Sequence, residues 1–355
     1  MQGLIAAAAA ALLISGVGNR VAGSVPSQAT LSDEQLAGAR VVTGFSGHRP
    51  PPALRKMIGA GQVSGVVLFD GNVGGRSSVR RLTAELQGIP RPAGVPPLLI
   101  TVDQEGGLVR RLPGPPKPSA SSIGSRGAGF AERLGRATGQ SLRAMGVNVD
   151  LAPVLDLGRP GRAIFDEGRT FARTPAAVSR IGVGFARGLA AGGVAATGKH
   201  FPGLGAARIN TDNAVQRIRL PAGKLRSADE LPYASFEQAG GAMVMLSTAI
   251  YPALSGKPAA LSRAIATGEL RDRVGFQGVS ITDSLGTVSA RAIGGPAKTA
   301  RAAAAAGADL ALYTSLGDAA GAQRALARGL ADGTLDRTEF EASVSRVLAL
   351  RASLP

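Results

Sequence analysis

The sequence contains no cysteine. Disulfides, thiolate metal ligands and a cysteine nucleophile are therefore excluded, and folding outside the cell would need no oxidative step. Tryptophan is absent and there are only 3 tyrosines, so the aromatic platforms on which single-stranded nucleic acid stacks are missing. The only histidines are His48 and His200. A two-histidine metal site would have to use both, and neither a metal nor a cofactor is expected. Acidic residues are also scarce: 24 Asp and Glu against 40 Lys and Arg give a net charge of +16. The arginines are scattered, as in Arg80-Arg81 and Arg110-Arg111. That pattern reads first as a solvated basic surface and second as attraction to an anionic cell wall. A nucleic-acid partner is not expected.

What is abundant is small: 50 Gly, 22 Pro and many Ala. An apolar, Ala-rich run from Gly3 to Val17 is followed by Asn19-Arg20 and small residues. It is short for a membrane span, which needs ~20 apolar residues. It resembles the apolar core of a secretory signal peptide, although Met1-Gln2 carries no basic residue. Residues 1–30 are therefore expected to be a signal peptide or a disordered N-terminal segment, with an uncleaved anchor as the alternative. The expected location is secreted or cell-wall associated.

Residues 31–355 are expected to form one domain, since no linker or composition shift divides them. Apolar runs of strand length occur at 40–45, 63–69, 97–102, 147–154, 194–198, 242–246, 278–282 and 309–313. They lack period-two alternation, as strands buried on both faces do. Helical patterns separate them, for example Val178, Ile181, Phe185 and Leu189, or Phe340, Val344, Val347 and Leu348. Asp336-Arg-Thr-Glu339 reads as a capping box for the last helix. Repeated strand–helix units predict an α/β fold, a single (β/α)8 TIM-type barrel. The open doubly wound sheet is the alternative, but no G-x-G-x-x-G follows the first strand.

In such a barrel, chemistry sits at the C-terminal ends of the strands. Those ends carry Asp70 and Asn72, Asp103 and Glu105, Asp156, Lys199 and His200, Ser247, and Asp283. Each alone could be a helix cap or a turn residue. Gathered at one end of an apolar barrel, they make a polar-ligand site the better explanation. The stretch Gly198-Lys-His-Phe-Pro-Gly-Leu-Gly205 stands out, because a polar loop with Asn210, Thr211 and Asp212 follows it. Several carboxylates, no thiol and no metal cluster suit glycoside hydrolysis, in which one carboxylate attacks the anomeric carbon and a second group protonates the leaving oxygen.

Five motifs sharpen this: Asp103-Gln-Glu-Gly-Gly-Leu-Val-Arg-Arg111, Leu151-Ala-Pro-Val-Leu-Asp156, Arg169-Thr-Phe171, Lys199-His-Phe-Pro-Gly203 and Gly275-Phe-Gln-Gly-Val-Ser-Ile-Thr-Asp-Ser-Leu285. In that order they resemble glycoside hydrolase family 3, specifically its single-domain β-N-acetylhexosaminidases. The resemblance implies a barrel, a retaining mechanism and Asp283 as the nucleophile. It implies Asp103, Arg111, Arg169, Lys199 and His200 as holders of the sugar hydroxyls, with Arg110 able to replace Arg111. It makes Asp156 more structural than catalytic. The substrate it implies is a carbohydrate, a glycan containing N-acetylglucosamine, such as a cell-wall muropeptide. β-Glucosidase, glycosyl phosphorylase and a catalytically weak wall-glycan-binding barrel are the alternatives. The chain departs from the family pattern in one loop. Many single-domain members carry an Asp-x-His pair there, whose His is the acid/base. Here Asn210 falls on that Asp, Asp212 on that His, and Leu204 replaces another histidine. Asp212 is therefore the candidate acid/base.

Overall fold

The structure, a computed structural model, describes residues 31–355; the expected signal segment 1–30 lies outside them. Eight parallel strands make the central sheet: β1 (Val41–Thr43), β2 (Gly65–Leu68), β3 (Leu99–Val102), β4 (Val149–Asp150), β5 (Ala195–Phe201), β6 (Met243–Leu246), β7 (Val279–Thr282) and β8 (Ala311–Tyr313). Each pairs with its neighbours in chain order, and β8 pairs with β1. Between β7 and β8 a bridge at Ile281 and Leu310 brings the sheet nearly to closure. The expected barrel is therefore the observed one.

Both faces of the strands are apolar, which is why no alternation is visible in the sequence. Val42, Val67, Leu99, Val149, Leu151, Ala195, Met243, Met245, Val279, Ile281, Leu310 and Leu312 fill one interior cluster. Val66, Leu68, Ile100 and Val102 face a second cluster with the surrounding helices. Every strand contributes to the interior, so the barrel is a packed core rather than a pore.

Two strand expectations change. The run 147–154 forms ladder only at Val149–Asp150, and pairing with β5 resumes at Val154–Lys199. Pro153 between them has no N–H to give, although its carbonyl accepts from Lys199 N at 3.1 Å. Strand β5 runs further than expected, to Phe201, so Lys199 and His200 lie within it. The Lys199–His200 and Phe201–Pro202 peptide bonds are cis. The capping box of the last helix (Arg337–Ser353) forms by half. Asp336 accepts from Glu339 N at 2.8 Å, whereas the Glu339 carboxylate takes both Nη atoms of Arg263.

Candidate active site

The C-terminal mouth of the barrel holds a cavity of about 210 Å3. Its floor includes Val67, Leu151, Met245 and Leu312, one side chain from each even strand or its immediate end. This is a layer of four from alternate strands, as barrels of this kind are filled. The odd strands supply polar groups above it: Asp103 follows β3, Lys199 lies in β5 and Asp283 follows β7.

Lys199 is almost fully buried, and a buried ammonium must be paired. Its Nζ lies 2.5 Å from Asp103 Oδ1 and 2.7 Å from Glu105 Oε1. Arg169 grips Glu105 with Nε and Nη2, both at 2.9 Å, and reaches Glu167 with Nη1 at 3.1 Å. Burial alone would raise the Glu105 carboxyl, but Arg169 and then Lys199 outweigh it and hold it well below the usual carboxylate range. Burial likewise opposes the charge on Lys199, and Asp103 and Glu105 restore it, leaving the ammonium above its ordinary value. Glu105, Arg169 and Lys199 are therefore charged at neutral pH, with Glu105 as the counter-ion common to both cations.

The segment after β3 explains how Glu105 gets there. Gln104–Gly106 and Val109–Arg110 form a short antiparallel hairpin, turned at Gly106 (φ 100°) and Gly107 (φ 57°), a backbone region glycine enters without steric cost. Gln104 anchors it: its amide donates to the carbonyls of Leu112 and Pro115, both at 3.0 Å, and its Oε1 accepts from Leu112 N. Gln104 N donates to the buried Asp150 at 3.0 Å. Burial pushes the Asp150 carboxyl well above its ordinary value, and the Gln104 bond only partly offsets this.

His200 is buried, with Nδ1 2.8 Å from Asp156 Oδ2. The other Asp156 oxygen accepts from His200 N at 3.3 Å and Leu204 N at 2.6 Å. With a carboxylate beside Nδ1, the imidazole is held in one orientation and Nε2 is the ring atom left for the cavity.

Asp283 continues the barrel hydrogen bonding, its N donating to Leu246 O at 2.8 Å, while its Oδ1 accepts from Ser284 N at 2.7 Å. It does not cap the next helix, Val288–Arg291; Thr287 does. Asp212 reaches the same cavity from the loop after β5. Its N donates to Asn210 Oδ1 at 3.0 Å, and Thr211 beside it is buried. Gln216 Oε1 accepts from the N–H groups of Arg208 and Ile209, and Ser289 Oγ donates to Ala214 O at 3.1 Å. The loop is thus clasped at both ends. Asp212 is exposed as a residue, but desolvation at the cavity wall and, second, the Asp283 carboxylate raise its carboxyl above the ordinary value.

All seven candidate residues, Asp103, Arg111, Arg169, Lys199, His200, Asp212 and Asp283, line this one cavity. Arg111 faces it and lies 3.3 Å from Asp70, whereas Arg110 donates to Gly114 O on the outside. Asn72 and Ser247, though at strand ends, serve the backbone. Asn72 binds Phe69 N and the carbonyls of Phe45 and Gly47, and Ser247 Oγ accepts from Ala249 N. The sequence reading placed Glu105 at a strand end without a role. It also missed Glu167, which lines the cavity. The acidic spacing of the hairpin motif was the available signal for Glu105; for Glu167 there was only its nearness to Arg169.

Comparison with known proteins agrees with this architecture. Residues 31–350 match the glycosyl hydrolase family 3 N-terminal domain. The chain is 38% identical over 329 residues to an uncharacterized secreted glycosyl hydrolase of Arthroderma benhamiae, an alignment covering 90% of this chain and 93% of that one. It is 36% identical over 263 residues to a β-hexosaminidase of Xanthomonas oryzae pv. oryzae, covering 70% and 76%. The solved family 3 β-N-acetylglucosaminidase of Paenibacillus sp. superimposes with a TM-score of 0.87 at 33% identity. That overlap covers 91% of this chain and 63% of the other, so this chain spans a little under two thirds of that protein. A family match across nearly all of the described residues leaves one assignment: the chain is a glycoside hydrolase and belongs to glycosyl hydrolase family 3.

Proposed function

We propose that the protein is a retaining exo-β-N-acetylglucosaminidase that releases terminal N-acetylglucosamine from cell-wall muropeptides or related glycosides. The observation that carries this reading is the convergence of Asp283 and Asp212 on one small cavity, with the Asp283 charge helping to raise Asp212. Asp283, held to the end of β7, attacks the anomeric carbon and forms the glycosyl-enzyme. Asp212, whose carboxyl its surroundings raise above the ordinary value, gives its proton to the departing oxygen and then, as a carboxylate, takes one from the incoming water. Asp103, Arg111, Arg169, Lys199 and His200 hold the hydroxyls, with charge-assisted bonds that are about twice as strong as neutral ones. Exo action is supported by size. The cavity is about 210 Å3, below the ~300–1,000 Å3 of pockets that engulf drug-sized ligands, a size that suits one terminal sugar better than several. The hexosaminidase relatives support the N-acetyl preference. Export is supported by the apolar run Gly3–Val17 and by the relative described as secreted.

The test is hydrolysis of an aryl N-acetyl-β-glucosaminide beside the matching aryl β-glucoside, with wild type against Asp283→Asn. Aryl groups leave with little acid help, so the assay isolates the nucleophile. The N-acetyl substrate should be preferred, and Asp283→Asn should lower its turnover by ~10⁴-fold or more, in the range seen when a catalytic nucleophile is removed. A folded wild type that turns over neither substrate would overturn the reading. A trapped glycosyl-enzyme should show the Asp212 carboxyl about 5–5.5 Å from that of Asp283, the spacing of a retaining pair.

A further inference from the structure

The stretch just beyond the acid loop reads Val215-Gln-Arg-Ile-Arg-Leu220. Gln216 and Ile218 are buried, and Arg217 and Arg219 are exposed. The alternation is that of an extended chain, and the backbone confirms it. Ile250 N donates to Gln216 O at 2.9 Å, Ile218 N donates to Ile250 O at 2.8 Å, and Arg217 bridges in parallel to Ile250. Side chains two residues apart on such a chain point the same way with roughly 7 Å between their origins. Arg208, on the acid loop, and Arg162, at the start of the short helix Ala163–Asp166, meet them across a groove of about 370 Å3. No acidic side chain lines this groove. Among the described residues none of its four arginines forms an ion pair, whereas Arg111, Arg159 and Arg169 around the same mouth are each paired with an acid.

The groove shares its wall with the active-site cavity. The short helix gives Ile164 to the cavity, and Arg162 before it faces the groove. The loop gives Leu204, Asn210, Thr211 and Asp212 to the cavity, and Ala206, Arg208 and Gln216 to the groove. Ala163 N donates to Ala207 O at 3.1 Å and joins the two segments. Gln216 is the hinge pin: it lines the groove while its amide oxygen holds the Arg208 and Ile209 N–H groups. Like charges converging on a concave surface repel one another, and an oxyanion among them relieves that repulsion. The guanidinium fork matches carboxylate and phosphate in two-point contact.

We propose that this four-arginine groove binds an oxyanion, a carboxylate or phosphate group, and that its occupant steadies the loop that carries Asp212. The binding stands on the groove alone; the effect on the loop rests on Asp212 being the acid/base. The occupant's chemistry is the same whether it is carried on the aglycone of the substrate or arrives as free phosphate.

Inorganic phosphate titrated calorimetrically into the full chain at low ionic strength tests the site directly. Arg217→Gln/Arg219→Gln and, separately, Arg208→Gln should bind at least about tenfold more weakly than wild type, as expected for losing charge-assisted hydrogen bonds, with melting temperatures unchanged. Equal phosphate affinity in wild type and both variants, or none in wild type, would overturn the site, and this arm is independent of any glycosidase activity. Two kinetic arms separate the sources, using an N-acetylglucosaminide with an alkyl leaving group, which needs acid help. If the anion belongs to the aglycone, carboxylate- or phosphate-bearing aglycones should raise kcat/KM several-fold over a neutral one in wild type, and the advantage should vanish in the double variant. If free phosphate is the occupant, adding it should speed release of the free sugar from the neutral substrate in wild type only. Phosphate binding with neither kinetic effect would refute the steadying of the loop.

Discussion

Glu105 sits between two buried cations of the cavity wall, Arg169 and Lys199, and among the described residues is the one acid that pairs with both. Replacing it with glutamine would leave Lys199 and Arg169 sharing fewer anions in a closed site. Breaking a buried pair by removing one partner costs about 3–5 kcal/mol, so Glu105→Gln should lower stability by that order in urea melts at pH 7. The sign with pH follows from the depressed carboxyl. Its stabilisation is complete above the unfolded value of ~4.3 and is lost as pH falls toward the folded one. Wild type should therefore lose its margin over Glu105→Gln below about pH 4. Asp212 is raised instead, and in the proposed mechanism its proton goes to the leaving group. Turnover of an alkyl glycoside should fall as pH rises through that raised value. Asp212→Asn should remove this alkaline limb and cost ~10²–10⁴-fold, as general acids do, while sparing aryl substrates. Most residues at this scale were legible because strand ends in a barrel announce themselves. The links between them were not. Glu105 with Arg169, and Asp156 with His200, join side chains from segments far apart in the chain, whose burial no local pattern reveals.

The helices Ala128–Arg143 and Pro175–Ala191 pack against each other along a seam of glycines. A Cβ on Gly139 would lie 2.6 Å from Leu189 O, one on Gly192 2.7 Å from Arg136 O, and one on Gly188 against Glu132 O. In an exposed helix Gly→Ala gains roughly 0.5–1 kcal/mol. Here the sign should reverse: Gly188→Ala should cost ~1–3 kcal/mol, as overpacking does, visible as a lower melting temperature with unchanged KM. Helix 175–191 was legible from Val178, Ile181, Phe185 and Leu189, all buried. The seam was not, because the four-residue spacing of Gly135 and Gly139, and of Gly184 and Gly188, looks in sequence like general glycine richness. Strand existence was legible eight times over. Strand ends were less so, since Pro153 interrupts one ladder and Phe201 extends another.

At the scale of the whole chain, the +16 charge and the cavity have different duties. Inside, the two cations Lys199 and Arg169 are paired with three acids, Asp103, Glu105 and Glu167, so the cavity does not share the basic excess of the chain. Outside, arginine prevails. Binding to an anionic wall-polymer preparation should therefore weaken steeply between about 0.05 and 0.5 M salt, where the screening length shrinks to a few ångströms. Hydrolysis of a neutral aryl glycoside should change little over the same range. A flat salt response of wall binding would mean that the surface charge only solvates the protein.

The two proposed catalytic carboxylates differ in how they are built in. Asp283 belongs to the barrel ladder itself, but Asp212 rides on a loop held to its surroundings by Gln216 at Arg208 and Ile209 and by Ser289 at Ala214. That makes the proton donor an interchangeable part. Between those pins a different donor could be substituted without disturbing a strand, and the same nucleophile and sugar grip would then serve leaving groups of another acidity.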